Sequence, residues 1–357
     1  MTAFTIAASQ WVGSAAHAEP TGRLDRSPYG WLLAVDTDVL GVHIDRAHVG
    51  GWADAALRTS DLDEEGTNVS VNHLNAFADV RFEDHWQLFV EAELEYRPAL
   101  ATLSRENDLE VEQAYLKYSF SDRLEVRVGR FSTPFGFWTP VHWTIRTDTV
   151  APPLFESRRF VPEQQVGARV SGRIFPRALQ PLDVEVNYSV WGGYASDEVD
   201  VDGARGATMG ADLRIGAMDR GFLGASFHRQ DTEGTADPRD RENDAVVYGE
   251  LSLPAHFTLR GEYLYQRTHR RSAPDSQIHS VYGKVRWDHG DWSLNYRFER
   301  SDDPDLGPDA LQRIDRFTIG YSLLHRVRLK AEYARHRTLR ASVPDFDTFA
   351  LWLGVFF

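Results

Sequence analysis

The feature that most constrains the fold of this chain is an alternation of polar and apolar residues with a period of two. The clearest example lies between residues 86 and 96, where one face carries Trp86, Leu88, Val90, Ala92, Leu94 and Tyr96. A period of two is that of a β-strand, whereas an amphipathic helix repeats every 3.6 residues. Counting similar segments, we predict about sixteen strands between residue 48 and residue 357.

The breaks between these segments alternate in length. The short ones are residues 83–85, 254–256, 288–290 and 324–325. The long ones lie near residues 59–70, 97–108, 132–164, 192–204, 231–244, 267–275, 301–310 and 337–345. Tight turns at one end and long loops at the other are typical of an antiparallel up-and-down β-barrel.

The strands of a soluble β-propeller or β-sandwich also alternate polar and apolar residues, so the alternation alone does not place the barrel in a membrane. A barrel of about sixteen strands is too wide for side chains to fill, so its interior holds water and its apolar face points outward. Aromatic residues near strand ends, as in the girdles of membrane barrels, are Trp86, Tyr96, Tyr263, Tyr265 and Trp287. We therefore predict that residues 48–357 form an all-β transmembrane barrel.

The hydropathy and the N-terminal residues indicate where in the cell the protein is located. The mean hydropathy is -0.42, and no stretch of about 18 apolar residues is present, which excludes a helical membrane protein. Residues 4–16 are small and apolar, and Ala16-His17-Ala18 has the form of a signal-peptidase site. We predict a signal peptide over residues 1–18 and an outer-membrane location; the alternative is a disordered leader. Residues 19–47 are predicted to form a periplasmic hairpin, an extra strand pair or a plug.

The long segment from 132 to 164 is a candidate pore constriction. Its aromatic residues are Phe135, Phe137, Trp138, Trp143, Phe155 and Phe160. Exposing such side chains to water is costly, so we expect the segment to bury them. The barrel lumen is the cavity available for this, and we therefore predict that the segment folds inward. The polar residues that an inward fold would place at the narrowest point are Arg146, Asp148, Glu156, Arg158, Arg159 and Glu163. The alternative is an external loop that packs on a partner subunit or serves as an adhesion surface.

Three motifs resemble those of the phosphate-selective porin O/P family. They are Val111 to Tyr118 (VEQAYLKY), Val128 to Gly136 (VGRFSTPFG), and Phe160 to Glu163 (FVPE) leading into Gln165-Val166-Gly167. The match covers residues 111–172. The resemblance implies a sixteen-stranded, trimeric channel whose third loop folds inward. Phosphate selectivity in that family is associated with a lysine and arginine lining, whereas this chain has three lysines, Lys117, Lys284 and Lys330.

Charge is distributed unevenly between loops and wall. The formal net charge is -14, but four long loops hold 18 acids and two arginines, so the remainder is near neutral. Alternation places a basic wall in the lumen, made of Arg260, Lys284, Arg286, Arg297, Arg316, Arg328 and Lys330. An acidic stripe of Glu91, Glu93 and Glu95 lies opposite. A transverse field favouring small anions would follow. The alternative is that these acids and bases pair with their neighbours.

The sequence favours a passive channel for small polar or anionic solutes, phosphate-like anions among them, over an enzyme. It contains no GxSxG or HExxH motif and no cysteine, and we predict no catalytic residue, cofactor or metal. The expected partners are outer-membrane lipid and lipopolysaccharide, bridged to the acidic loops by divalent cations, together with two further copies of the chain and no nucleic acid. The alternative function is a barrel sheath or receptor for a periplasmic or surface protein, such as an electron-transfer conduit.

Overall fold

The computed structural model describes residues 24–27, 30–33, 37–39, 42–61, 67–96, 107–141, 144–157, 161–176, 183–195, 206–217, 220–233, 238–270, 274–304, 311–323, 326–338 and 344–357. Three short strands come first: β1 (Leu24–Ser27), β2 (Gly30–Leu33) and β3 (Thr37–Val39). The barrel strands are β4 (Val42–Ser60), β5 (Thr67–Phe82), β6 (Trp86–Tyr96), β7 (Asn107–Ser121), β8 (Leu124–Ser132), β9 (Gln164–Ile174), β10 (Val184–Ala195), β11 (Ala207–Ala217), β12 (Gly221–Glu233), β13 (Pro238–Leu253), β14 (Phe257–His269), β15 (Ser276–His289), β16 (Trp292–Asp302), β17 (Leu311–Leu323), β18 (Val327–Thr338) and β19 (Phe346–Phe356). Short helical segments are Thr139–Val141, Thr144–Arg146, α1 (Leu154–Ser157) and Pro254–His256.

The strands β4 to β19 form one closed antiparallel sheet. Each pairs with its successor in the chain, and β19 pairs with β4 to close the barrel. At this seam the backbone amides of Gly51 and Phe357 each donate to the other residue's carbonyl oxygen at 3.0 Å. Gly51 has no room for a side chain, because a Cβ atom would collide with the Asn75 carbonyl oxygen and lie 2.6 Å from the Phe357 ring. The predicted sixteen-strand, up-and-down β-barrel is confirmed.

Burial alternates along the strands as the sequence predicts. In β19, Leu351 and Leu353 are exposed, whereas the alternating positions Ala350 and Trp352 are buried. The outward positions of the barrel are large and apolar on nearly every strand, and a soluble protein would not leave so many of them in water. The inward positions are largely polar or charged, in agreement with the polar interior of membrane barrels.

The break predicted over residues 231–244 is mostly strand, so this loop prediction is wrong. The strand β12 continues to Glu233 and β13 begins at Pro238. Polar residues suggested a loop, but here they are complementary across the sheet. Asp231 lies opposite Arg241, and its carboxylate is 3.0 Å from the guanidinium. Opposite charges at paired positions stabilise a strand pair.

The N-terminal strands pair along the first barrel strand. Residues 31–33 of β2 pair with Ala47 to Val49, and β3 pairs with Val42 to Ile44. The strand β4 begins at Val42, before the predicted barrel start at residue 48. The predicted signal peptide, residues 1–18, lies outside the described residues. Among the described residues, no helix is long and apolar enough to cross a membrane.

Candidate functional site: a lumen lined by the third loop

The segment between β8 and β9, residues 133–163, is the third long loop and is called loop 3 below. It lies inside the barrel, because its residues contact the inward faces of strands distant in sequence. The amide of Gly136 donates to Ser226 Oγ of β12 at 3.0 Å, and Arg328 of β18 donates to the carbonyl oxygen of Ile145 at 2.8 Å. Ile145 itself is fully buried. The inward fold predicted for this loop is the one observed.

Wall glutamates hold the backbone of loop 3. Glu332 of β18 accepts hydrogen bonds from the amides of Val150 and Ala151 at 2.7 and 3.2 Å. Glu299 of β16 accepts one from the amide of Leu154 at 2.8 Å. Glu262 of β14 accepts one from the amide of Phe137. Carboxylates that accept backbone amides form charge-assisted hydrogen bonds, roughly twice as strong as neutral ones, so these anchors fix the path of the loop along β14–β18.

A second anchor is the Asp148 cluster, formed by Asp148 of loop 3 with Lys284, Arg286 and Arg260. The Asp148 carboxylate pairs directly with Lys284 and Arg286, and Arg260 lies 3.7 Å away. Burial raises the pKa of this carboxyl, but Arg286, Lys284 and Arg260 outweigh that effect and hold its pKa well below the usual range. Asp148 therefore stays ionised and neutralises part of the wall.

The remaining cations of the predicted basic wall also face the lumen, but loop 3 and wall acids occupy their donors. Arg297 donates to Thr149 Oγ1 at 2.7 Å and to two loop carbonyl oxygens. Lys330 donates to Thr147 Oγ1 at 3.2 Å. Arg316 pairs with Glu299 and Glu332. The structure brings all seven basic residues together on β14–β18, and it matches the alternative in which they pair with neighbours.

The predicted aromatic residues of loop 3 that the structure describes contact the wall, whereas Trp143 and Phe160 lie outside the described residues. Phe135 and Trp138 are buried in a cluster with wall residues of β13–β15. Phe137 stacks on Phe222 with ring centroids 6.2 Å apart, and the Arg260 guanidinium covers it at 3.4 Å. Arg146 ends a helical turn and is half-buried.

The other predicted site residues are placed unevenly. Glu91 is fully buried and accepts hydrogen bonds from Asn75 and Gln113 at 2.7 and 2.8 Å, so it is not an open charge. Glu93 lies 3.7 Å from His73. The side chains of Glu95 and Glu156, and the whole of Arg158 and Arg159, lie outside the described residues.

A second group of lumen cations, which the sequence analysis missed, lies on the early strands. We call it the basic row: Lys117, Arg127 and Arg169 are directly paired positions on β7, β8 and β9. Arg127 covers the ring of Tyr115 at 3.9 Å, and Lys117 lies 3.4 Å from Glu125. Buried Arg169 Nε has no hydrogen-bond partner among the described residues.

The signal for the basic row was present in the alternation. Arg127 lies between Val126 and Val128, and Arg169 lies between Ala168 and Val170. Apolar residues on both sides of a cation indicate that it points inward in a membrane barrel. The alternation predicts each of these segments as a strand, but it does not show which of their polar positions lie side by side in the sheet. Register, which sequence alone does not supply, brings the three cations together.

Comparison with known proteins identifies the fold. No protein-family model matches the chain. No curated protein matches its sequence. Among solved structures, the chain is similar to an anion-selective porin from Comamonas acidovorans, with a TM-score of 0.63, 12% identity, and coverage of 87% of this chain and 99% of the other. It is similar to the outer membrane channel DcaP of Acinetobacter baumannii, with a TM-score of 0.61, 12% identity, and coverage of 88% and 97%. It is also similar to the trimer form of in-vitro folded OmpT, an outer membrane protein of Vibrio cholerae, with a TM-score of 0.59, 12% identity, and coverage of 87% and 99%. The fold is that of outer-membrane porins, and the resemblance to the phosphate-selective porin O/P family stays a prediction.

Proposed function

We propose that this chain is an outer-membrane porin, a water-filled channel through which small polar or anionic solutes diffuse. The observation that carries the proposal is a closed barrel of sixteen strands with an apolar outer face and a polar interior into which loop 3 folds. A barrel of this size is wide enough for an aqueous channel. The similar solved structures, which are a porin and an outer membrane channel, agree with this function.

We further propose that the channel prefers small anions, phosphate-like anions among them. The cations of β14–β18 are compensated by loop 3 and wall acids. Among the described residues, the basic row on β7–β9 makes one ion pair, between Lys117 and Glu125. Solutes that pass loop 3 would meet these cations, which attract anions from the water that fills the lumen.

The test is reconstitution of the full chain in planar bilayers. We expect discrete conductance steps and, under a KCl gradient, a reversal potential that indicates mild anion selectivity. The variant Lys117→Gln/Arg127→Gln should lose most of that selectivity, whereas the control Arg267→Gln, on the outer face, should retain it. Absence of conductance would refute the channel, and clear cation selectivity of the unaltered protein would refute the anion preference.

We also propose that the channel is a homotrimer, as the solved OmpT trimer form is. Light scattering of the purified protein in detergent tests this directly. A mass of three chains is expected, and a mass of one chain at all concentrations contradicts it.

The sheath alternative needs room in the lumen for a partner protein, and loop 3 occupies part of that space. We propose that the barrel has no catalytic role.

A further inference from the structure

Three arginines lie in one row on the outer surface of the barrel. Arg300 of β16 is directly opposite Arg313 of β17, which is directly opposite Arg337 of β18. They point away from the lumen, since the adjacent residues Glu299 and Ile314 are buried on the inside. Like charges at directly opposed positions destabilise a strand pair. A row of three therefore needs compensation by anions.

The protein itself compensates only part of this row. Arg313 binds Asp315 at 3.0 and 3.2 Å, and Asp315 also accepts the hydroxyl of Tyr296 at 2.7 Å. Among the described residues, no ion pair is formed by the Arg300 guanidinium. Arg337 Nε is buried and has no hydrogen-bond partner among the described residues. A buried donor without an acceptor is costly, so the row retains capacity for an external anion.

The position of the row indicates the source of that anion. An outward row of aromatic residues crosses the same strands, and it consists of Tyr296, Phe317, Tyr333 and Phe349. Such aromatic belts mark the membrane boundary. The arginines lie four residues further toward the long loops, about 14 Å along strands that rise about 3.4 Å per residue. Strand tilt lowers the height above the belt to about 10 Å, the depth of lipid headgroups and their inner sugars.

We propose that Arg300, Arg313 and Arg337 bind the phosphate groups of an outer-leaflet lipid. Guanidinium groups match phosphate oxygens with paired, charge-assisted hydrogen bonds. The site differs from a bridge between acidic loops and lipopolysaccharide, because it needs no divalent cation. This proposal rests on the proposed orientation of the barrel in the membrane, but it does not depend on whether the barrel conducts solutes.

The test compares the full-length protein with the double variant Arg300→Gln/Arg337→Gln. Lipopolysaccharide, its dephosphorylated form and inorganic phosphate are each titrated against protein in detergent that contains EDTA, and bound lipid is counted by native mass spectrometry. The matched control is Arg241→Gln/Arg267→Gln, which removes two outer-face arginines whose partners are Asp231 and Asp275. Loss of one charge-assisted hydrogen bond weakens binding about tenfold, so the double variant should bind at least tenfold more weakly.

We expect the control to bind lipopolysaccharide as tightly as the unaltered protein, and the dephosphorylated lipid to bind both weakly. The double variant should retain normal single-channel conductance and heat-modifiable migration, which separates this proposal from folding and from channel function. The charge-conserving variant Arg300→Lys/Arg337→Lys should recover part of the affinity. The proposal is overturned if the double variant binds lipopolysaccharide normally, if the dephosphorylated lipid binds the unaltered protein as tightly as lipopolysaccharide does, if inorganic phosphate displaces the lipid at equal concentration, or if the double variant changes only the oligomeric state.

Discussion

Replacement of Asp148 by Asn removes one negative charge at the point where loop 3 meets the basic wall. Asp148 pairs with Lys284 and Arg286 and lies 3.7 Å from Arg260. The Asn side chain still accepts a hydrogen bond but carries no charge. Three cations of β14 and β15 would then lack their shared acid, and the lumen would gain one unit of positive charge.

The size of the effect follows from the distance between this charge and the ions that pass it. For an ion about 5 Å away in a water-filled pore, a unit charge contributes about 0.8 kcal/mol. Screening at about 0.1 M salt, with a Debye length of about 10 Å, lowers this to about 0.5 kcal/mol. Anions are favoured and cations disfavoured by about twofold each, so the anion-to-cation permeability ratio should rise about fivefold.

The assay is the reversal potential of single channels under a KCl gradient at about 0.1 M mean salt. Asp275→Asn is the matched control, since it removes the same charge from the loop between β14 and β15, where Asp275 pairs with Arg267 at 3.1 Å. We expect a shift toward anion selectivity for Asp148→Asn and almost none for Asp275→Asn. Equal shifts, or a shift toward cations, would refute the assignment of Asp148 to the conduction path.

Three further predictions follow from other contacts. Gly51→Ala should lower the yield of heat-modifiable, closed barrel on SDS gels, because its Cβ would collide with the Asn75 carbonyl oxygen, whereas Gly283→Ala, whose Cβ meets nothing within 4 Å, should fold normally; equal yields would contradict this. Glu332→Gln weakens the acceptor for the amides of Val150 and Ala151, so open-channel noise should increase, and unchanged noise would argue against anchoring. The lowered pKa of Asp148 means that its contribution is fully present above the ordinary carboxyl range and is lost only as pH falls through the lowered value. The carboxylate infrared band of Asp148, obtained as the difference between the unaltered protein and Asp148→Asn, should therefore be the same at pH 7 and pH 5, and its loss at pH 5 would contradict this prediction.

The barrel itself was predictable because the period of two is a local property. Trp86 to Tyr96 shows its two faces in sequence, and the structure confirms the segment as β6. The inward fold of loop 3 was predictable for a similar reason, since aromatic residues such as Phe135 and Trp138 are costly to leave in water. Both inferences needed only the chemistry of adjacent residues.

Pairing between distant residues was not predictable. Asp148 and Lys284 are 136 positions apart in sequence, and nothing local to either residue indicates the other. The basic row depends on register, which aligns Lys117, Arg127 and Arg169 across three strands. The same limit explains the loop predicted over residues 231–244, where Asp231 and Arg241 are each typical of loops but complementary once paired.

A water-filled channel narrowed by loop 3 is tested most directly by the single-channel conductance of the full chain before and after removal of residues 135–155, which include the constriction candidates Phe135 and Asp148. A deletion of residues 305–310, in the segment between β16 and β17, is the control. We predict defined conductance steps for the unaltered protein, larger steps for the loop 3 deletion and unchanged steps for the control. No conductance from the folded barrel, or equal conductance with and without loop 3, would contradict a water-filled channel narrowed by that loop.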